Sequence, residues 1–425
     1  MKPMEEIPVS VAAHIVQRMG ESGQPPERRA LAVNVGTEDI LRVLRDEYLV
    51  PIREHGRNSS FKLVQAPYGG GKTQFLHCLR ELAEGEGFAS ALVGLSPKDC
   101  PFDDAAKIFR AVAREIELPL HDPEEKPRRG FAQVIRHLVD ERVAQAGKAA
   151  FSSWLREELA MADVESPALL RATVAFAEAV IERSPDRMEL LGDYLRGETM
   201  TLAELAPFRI RELPDGEAGF RFLRSIAQIL RAMQVPGLLL LFDEMDRTMS
   251  LPKKKKRSIG DNLRQMIDHT GQSVLPGVLM AYAVPPEFIG HVAAEYPALT
   301  QRLNSTVSFS KVSPLSPVID LDRLPIPQRE LFEQIGLKLL DLYGRAYSVD
   351  LDRPMQEANI RALAREMSAN AFEAGSRRSF VKAAVTMLGA QHRDVRQKLS
   401  EADLRKLSRR AMAEEAPGLE GERLV

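Results

Sequence analysis

The stretch Val64-Gln65-Ala66-Pro67-Tyr68-Gly69-Gly70-Gly71-Lys72-Thr73 decides the fold of this chain. A β-prone run leads into it and a helix-favouring run follows, so the glycines form a turn between a strand and a helix. Three consecutive glycines allow backbone conformations closed to other residues, and successive N–H groups can then point at one phosphate chain. The positive end of the following helix adds to this attraction. The stretch therefore predicts a phosphate-binding loop.

The side chains of this loop predict how ATP and Mg²⁺ are held. Lys72 is expected to lie against the β- and γ-phosphates, and the Thr73 hydroxyl to take one coordination position on Mg²⁺. The pattern is the Walker A motif with one departure, Ala66 in place of the usual first glycine, and alanine is small enough to be tolerated. We expect the nucleotide to contact eight consecutive residues: Pro67, Tyr68, Gly69, Gly70, Gly71, Lys72, Thr73 and Gln74.

A second motif lies at Leu238-Leu239-Leu240-Leu241-Phe242-Asp243-Glu244. Its apolar residues do not alternate with polar ones, which is typical of a strand buried on both faces of a parallel sheet. Asp243 is then expected at the carboxyl end of the sheet, where ligands bind in such folds. This is the Walker B pattern, in which Asp243 holds Mg²⁺, mostly through a water, and Glu244 polarises the attacking water as general base.

Composition limits the classes of protein to consider. The 425 residues allow two or three domains, and a net charge of −2 gives no general reason for nucleic-acid binding, so a local patch would have to provide it. Cys78 and Cys100 are too few for a disulfide framework or a cysteine-type zinc site. No segment resembles a signal peptide, and the longest apolar run, about Val235 to Phe242, is too short to span a membrane. We expect a soluble, cytoplasmic protein.

The order of strand-like and helix-like segments, with the glycine loop, predicts an α/β P-loop NTPase fold: a parallel sheet flanked by helices, with a helical insertion and a helical C-terminal part. Residues 1–118 are expected to hold N-terminal helices packed on the nucleotide domain and the first half of that domain. Residues 119–213 form the insertion, and 214–325 the second half of the nucleotide domain. Residues 326–414 form the lid, and 415–425 a disordered tail.

The run Lys253-Lys254-Lys255-Lys256-Arg257 is the sharpest concentration of charge in the sequence. Adjacent cations repel one another and resist burial, so the run predicts an exposed loop. Two interpretations stay open for it. It is either a solvated surface loop or a contact with the phosphates of DNA or RNA, which requires only charge and reach.

With both Walker motifs and a helical C-terminal third, the sequence resembles the AAA+ ATPases, in particular the Orc/Cdc6-like branch. It is more similar still to the ATP-binding proteins of BREX-type phage-defence systems, the BrxD-like family, over about residues 28 to 390. The Walker motifs are generic to P-loop ATPases, and more specific stretches carry the family resemblance. The stretches are Pro67 to Leu76, Asp243-Glu244, Asn262-Leu263-Arg264-Gln265-Met266-Ile267-Asp268, Pro286-Glu287-Phe288 and Gln301-Arg302-Leu303.

The resemblance implies roles for two arginines. Arg302 is placed as an arginine finger that reaches the γ-phosphate in a neighbouring subunit, which implies a homo-oligomer. Arg378 falls where such ATPases keep a sensor arginine in the lid. The sequence departs from the family pattern at Ala283, Val284 and Pro285, where a polar residue usually ends the strand and orients the water. This departure predicts slow hydrolysis.

The resemblance also implies a function: ATP binding and hydrolysis that drive assembly, or DNA-directed action, of a phage-defence complex. The implied partners are DNA and other defence-system proteins, such as a helicase. Two other interpretations stay open. In the first, the chain is a nucleotide-dependent switch or scaffold with little turnover. In the second, it is a DNA loader or clamp that binds through Lys253 to Arg257.

Overall fold

A computed structural model of the chain describes residues 7–56, 58–120, 127–216, 218–245, 250–271, 275–290, 296–303, 307–369, 376–393 and 397–413. The strands are numbered in chain order: β1 Ser60–Gln65, β2 Ala89–Gly94, β3 Leu238–Asp243, β4 Val278–Val284 and β5 Val318–Asp320. The helices are α1 Val9–Ser22, α2 Glu38–Leu44, α3 Val50–His55, α4 Lys72–Gly85, α5 Ala105–Glu115, α6 Phe131–Ala146, α7 Lys148–Glu157, α8 Pro167–Glu182, α9 Pro185–Leu195, α10 Leu202–Leu205, α11 Ala218–Ala232, α12 Lys253–Gly271, α13 Pro297–Leu303, α14 Gln328–Tyr347, α15 Arg353–Ala369, α16 Ser376–Arg393 and α17 Glu401–Ala413.

The described strands form one five-stranded sheet in the order β2-β3-β4-β1-β5. β3 pairs in parallel with both β2 and β4, and every residue of β3 and β4 is buried. This burial on both faces explains why the Leu238 run shows no alternation. The order places β4 between β1, which leads into the glycine turn, and β3, which ends in Asp243. The predicted parallel sheet flanked by helices is confirmed.

The chain divides into two compact units, which we call the strand unit (Arg42–Val64 and Leu82–Ile319) and the P-loop unit (Met1–Leu41, Gln65–Glu81 and Asp320–Val425). In the strand unit, α5 packs against α11, and α6, α8 and α9 pack against one another. Leu155, Leu169 and Phe176, from the predicted helical insertion, belong to the same apolar core as the strands. The apolar stripes of the insertion are therefore part of the core.

In the P-loop unit, α1 packs on α14 and α16, and α14 packs on α15. The expectation that the first helix packs on the nucleotide domain is wrong. Its apolar stripe, Ala12, Ile15, Val16 and Met19, belongs to the core of the C-terminal helices. Helical period predicts such a stripe but not which surface covers it. The exact domain boundaries stay predictions.

A buried lysine fixes the edge of the sheet at β5. Lys62 of β1 is 2% exposed, and its ammonium donates hydrogen bonds to the Tyr48 hydroxyl at 2.7 Å and to the Ser316 carbonyl at 3.0 Å. The rings of Tyr48 and Phe309 also face it. Burial lowers the pKa of Lys62 to about 7. The hydrogen bonds compensate for the burial and hold the segment before β5 against β1.

Candidate nucleotide site

The glycine turn has the geometry that its sequence requires. Gly69 and Gly71 have φ angles of 71° and 94°, in the left-handed region that favours glycine. Gly70 is needed for space, because a Cβ there would lie 2.9 Å from the Ala66 Cβ and 2.9 Å from the Pro67 carbonyl oxygen. Ala66, the departure from the usual motif, is thus accommodated because Gly70 has no side chain.

The residues that follow the turn begin helix α4 at Lys72. Lys72 is buried, and its ammonium donates to the main-chain carbonyls of Ala66 at 2.7 Å and Pro67 at 3.2 Å. The positive charge therefore lies inside the turn. Gln74, expected to contact the nucleotide, donates its side-chain amide to the Ala30 carbonyl at 2.7 Å. Its described contact holds the N-terminal segment against α4.

Two adjacent arginines at the start of α16 contact the turn. Arg378, the residue predicted from the sequence, donates to the Tyr68 hydroxyl at 2.6 Å and lies over the Tyr68 ring. Arg377, which the sequence analysis missed, donates to the Gly70 carbonyl at 2.6 Å and to the Leu321 carbonyl at 2.8 Å. The only sequence signal for Arg377 was its position beside Arg378.

The end of β3 forms a strained turn. Asp243 is 6% exposed, and its carboxylate accepts a hydrogen bond from the Glu244 main-chain N–H at 2.8 Å. Glu244 has a φ of 64°, which is uncommon for a residue with a side chain. Its carboxylate lies beside Gly94 at the end of β2, where an added Cβ would be 3.2 Å from Glu244 Oε2. Such backbone strain is typical of functional sites.

The end of β4 is apolar, as its sequence predicts. Ala283 and Val284 are fully buried. The one hydroxyl of the strand, that of Tyr282, is also buried and donates to the Met245 sulfur at 3.0 Å. It therefore belongs to the core rather than to a polar site.

Arg302 lies in an ion-pair network within the strand unit. Its guanidinium makes a two-pronged contact with the Asp268 carboxylate, with one nitrogen–oxygen distance of 3.0 Å. Arg264 pairs with the same carboxylate at 3.0 Å. A third bond joins Arg302 to the Ala298 carbonyl at 2.8 Å. Asp268 and Arg264 lie on α12, in the stretch that carries the family resemblance.

A double-mutant cycle on Arg302 and Asp268 separates a structural ion pair from an arginine finger. For a structural pair, Arg302→Ala and Asp268→Ala should each lower the free energy of unfolding by about 1–3 kcal/mol, and the double variant by less than their sum. For a finger, Arg302→Ala should also lower ATP turnover well below that of Asp268→Ala. Unfolding and turnover measured on the same preparations test both. Equal turnover in the two variants would exclude the finger.

The basic run is the first part of helix α12, so the expectation of a loop is wrong. Ile259, Leu263 and Met266 are buried at helical spacing, so one face of the helix packs against the core. Lysine and arginine are good helix formers, and their charges stay at the surface here. Lys253, Lys254, Lys255 and Arg257 are exposed, Lys256 is half-buried, and Lys255 lies 3.6 Å from Asp103.

Helix α4 and the end of β3 each carry an oxygen donor that suits Mg²⁺. Thr73 on α4 offers a hydroxyl and Asp243 at the end of β3 offers a carboxylate, which are oxygen ligands of the kind that Mg²⁺ takes. The glycine turn has no space for a Cβ at its central residue, so only glycine allows the main chain to curve this tightly. Across the described ranges, no group of three or more His, Cys, Asp or Glu side chains could hold a metal by itself. No helix among them is long and apolar enough to cross a bilayer.

Comparison with known proteins identifies the family. A family model described as BREX system ATP-binding protein BrxC/D matches residues 7–404, nearly the whole chain. No curated protein and no solved structure gives a match. This match confirms the resemblance to BREX ATP-binding proteins that the sequence indicates. The chain therefore belongs to the BrxC/BrxD family of BREX system ATP-binding proteins.

Proposed function

We propose that this protein is a Mg²⁺-dependent ATPase with an AAA+-type P-loop fold that acts in BREX phage defence. One observation carries the proposal. In the described sheet, β4 alone separates β1, which runs into the glycine turn, from β3, which ends in Asp243 and Glu244. The carboxyl ends of parallel strands are where ligands bind in open α/β sheets. This strand order supports a single nucleotide that contacts both the glycine turn and the carboxylates at the end of β3.

Each residue has a proposed role in hydrolysis. The N–H groups of the glycine turn and the Lys72 ammonium bind the phosphates, while Thr73 and Asp243 hold the metal. Mg²⁺, when bound, supplies positive charge against the β- and γ-phosphates. Glu244 accepts a proton from the attacking water as general base, and the hydrogen bond from its own N–H keeps the Asp243 carboxylate oriented. We expect turnover to be slow, because the buried apolar end of β4 offers no side chain to orient that water.

The arginines are proposed to respond to the nucleotide. Arg378, beside Tyr68 of the turn, is assigned to sensing the γ-phosphate from α16. Arg302 keeps its candidate role as a finger in a homo-oligomer, for which it would have to leave Asp268. The proposed partners are DNA and other proteins of the defence system, such as a helicase, and the proposed location is the cytoplasm.

Steady-state ATP hydrolysis by the purified protein tests the proposal. Rates should be compared without DNA, with duplex DNA and with single-stranded DNA, beside the size distribution with ATP and Mg²⁺. Turnover that DNA stimulates, together with ATP-dependent assembly, is the expected result. ATP binding without turnover under every condition would contradict the ATPase and favour a nucleotide-dependent switch or scaffold. The apolar end of β4 is the observation that favours this alternative.

A DNA loader or clamp is the other alternative, supported by the exposed cations at the start of α12. Replacing Lys253 through Arg257 with glutamine should weaken DNA binding and lower the slope of log affinity against log salt by up to about 0.9 for each phosphate that the helix no longer neutralises. The control neutralises Lys406 and Arg409, exposed cations of α17. Binding measured by fluorescence anisotropy at several salt concentrations checks this. A slope equal to that of the wild type would rule the run out as a DNA-binding surface.

A further inference from the structure

The two ends of the glycine turn are tied together through residues far away in the sequence. At its start, the Gln65 carbonyl accepts a hydrogen bond from the Leu321 N–H at 2.9 Å. At its end, the Gly70 carbonyl accepts a hydrogen bond from Arg377 at 2.6 Å. Arg377 closes the connection by donating its other terminal nitrogen to the Leu321 carbonyl at 2.8 Å. One guanidinium thus bridges the turn and the segment after β5.

The surroundings of Arg377 fit this bridging role. Both of its described hydrogen bonds go to main-chain carbonyls, so the guanidinium fork is used to hold backbone. A Cβ at Gly71 would lie 2.8 Å from the Arg377 Nη1 atom, so the arginine packs directly against the turn. Burial lowers the pKa of Arg377, and the nearby Asp322 carboxylate opposes that effect. Arginine keeps its charge in such a place, whereas lysine loses it more readily.

We propose that Arg377 is a positioning residue that holds the glycine turn in its phosphate-binding shape by bridging Gly70 and Leu321. The proposal rests on the ATP-binding function proposed above and specifies how the site is kept in order. The turn N–H groups can converge on a phosphate only while the chain between Gln65 and Gly70 keeps its curvature. Arg377 maintains this curvature from α16, without touching the nucleotide itself.

The role differs from that assigned to the neighbouring Arg378. A residue that senses the γ-phosphate affects ATP but not ADP, because ADP lacks that group. A residue that shapes the turn affects both, since both nucleotides place their β-phosphate in the turn. The ratio of the two affinities therefore separates positioning of the turn from contact with the γ-phosphate.

The test measures binding of fluorescently labelled ATP and ADP to the full chain by anisotropy. Arg377→Ala should weaken the binding of both nucleotides alike, by roughly tenfold or more. The substitution removes the two charge-assisted hydrogen bonds that hold the glycine turn. Arg377→Lys keeps one nitrogen donor in place of two and should give intermediate losses that are again equal for the two nucleotides. Arg365→Ala removes an exposed arginine from the neighbouring helix α15 and should leave both affinities unchanged.

Three outcomes would overturn the proposal. They are a loss confined to ATP, unchanged affinities in Arg377→Ala, and, should that variant fail to fold, wild-type affinities in Arg377→Lys. Thermal unfolding recorded without nucleotide identifies a folding failure, and the melting temperature of Arg377→Lys should stay at the wild-type value. Failure of the wild-type protein itself to bind either nucleotide would instead refute the proposed function, so the two failures are distinguishable.

Discussion

Replacing Glu244 with glutamine is expected to lower ATP turnover by at least about 100-fold, the usual contribution of a general base, while ATP stays bound. Glutamine has nearly the same shape but cannot accept the proton of the attacking water. The substitution keeps the backbone at φ 64° and the Asp243 carboxylate bonded to the residue 244 N–H. The loss should therefore fall on turnover and leave the nucleotide affinity near the wild-type value.

The control for this experiment is Glu189→Gln, the same chemical change on the exposed face of α9. Single-turnover hydrolysis, nucleotide affinity and phage resistance in cells should be measured for both variants. The Glu244 variant should lose turnover and resistance together, and the control neither. Cells that keep full resistance with the Glu244 variant would contradict an ATPase role in defence and support the switch, in which ATP binding alone suffices.

Replacing Lys72 with alanine is expected to weaken ATP binding by about 100-fold, because a buried cation that is matched to the phosphates disappears. The substitution also removes the ammonium that holds the Ala66 and Pro67 carbonyls, so the start of the glycine turn loses its own support. Isothermal titration with ATP measures the loss. Lys398→Ala, at an exposed lysine outside the turn, is the control.

Turnover should fall together with the affinity in the Lys72 variant, in contrast to the Glu244 variant, in which affinity is kept. Full ATP affinity in Lys72→Ala would show that the nucleotide binds elsewhere. The two substitutions therefore separate the binding of the phosphates from the chemistry performed on them.

Local patterns predicted the parts of the fold that local chemistry decides. The glycine turn, helix α4 and the continuous apolar run of β3 could all be recognised because each is specified by neighbouring residues. The family resemblance added the two arginines, which periodicity alone does not distinguish from surface residues.

Features that depend on distant partners could not be predicted. Strand β5 has only three residues, and its pairing depends on β1, more than 200 positions away in the sequence. The burial of Lys62 depends on acceptors at Tyr48 and Ser316. Likewise, α16 decides which of two adjacent arginines reaches Gly70, and the sequence offered no reason to prefer Arg377. The basic run is helical and not a loop because helix propensity and the buried face that follows it outweigh the repulsion between adjacent cations.

The proposed ATPase requires the glycine turn after β1 and Asp243 at the end of β3 to act on the same nucleotide. Titration of ATP with and without Mg²⁺ into the wild-type protein and the Asp243→Asn variant tests it most directly. We predict that Mg²⁺ strengthens ATP binding in the wild type, and that the variant keeps the Mg²⁺-free affinity but loses the gain from the metal. The same gain from Mg²⁺ in both proteins would contradict the claim.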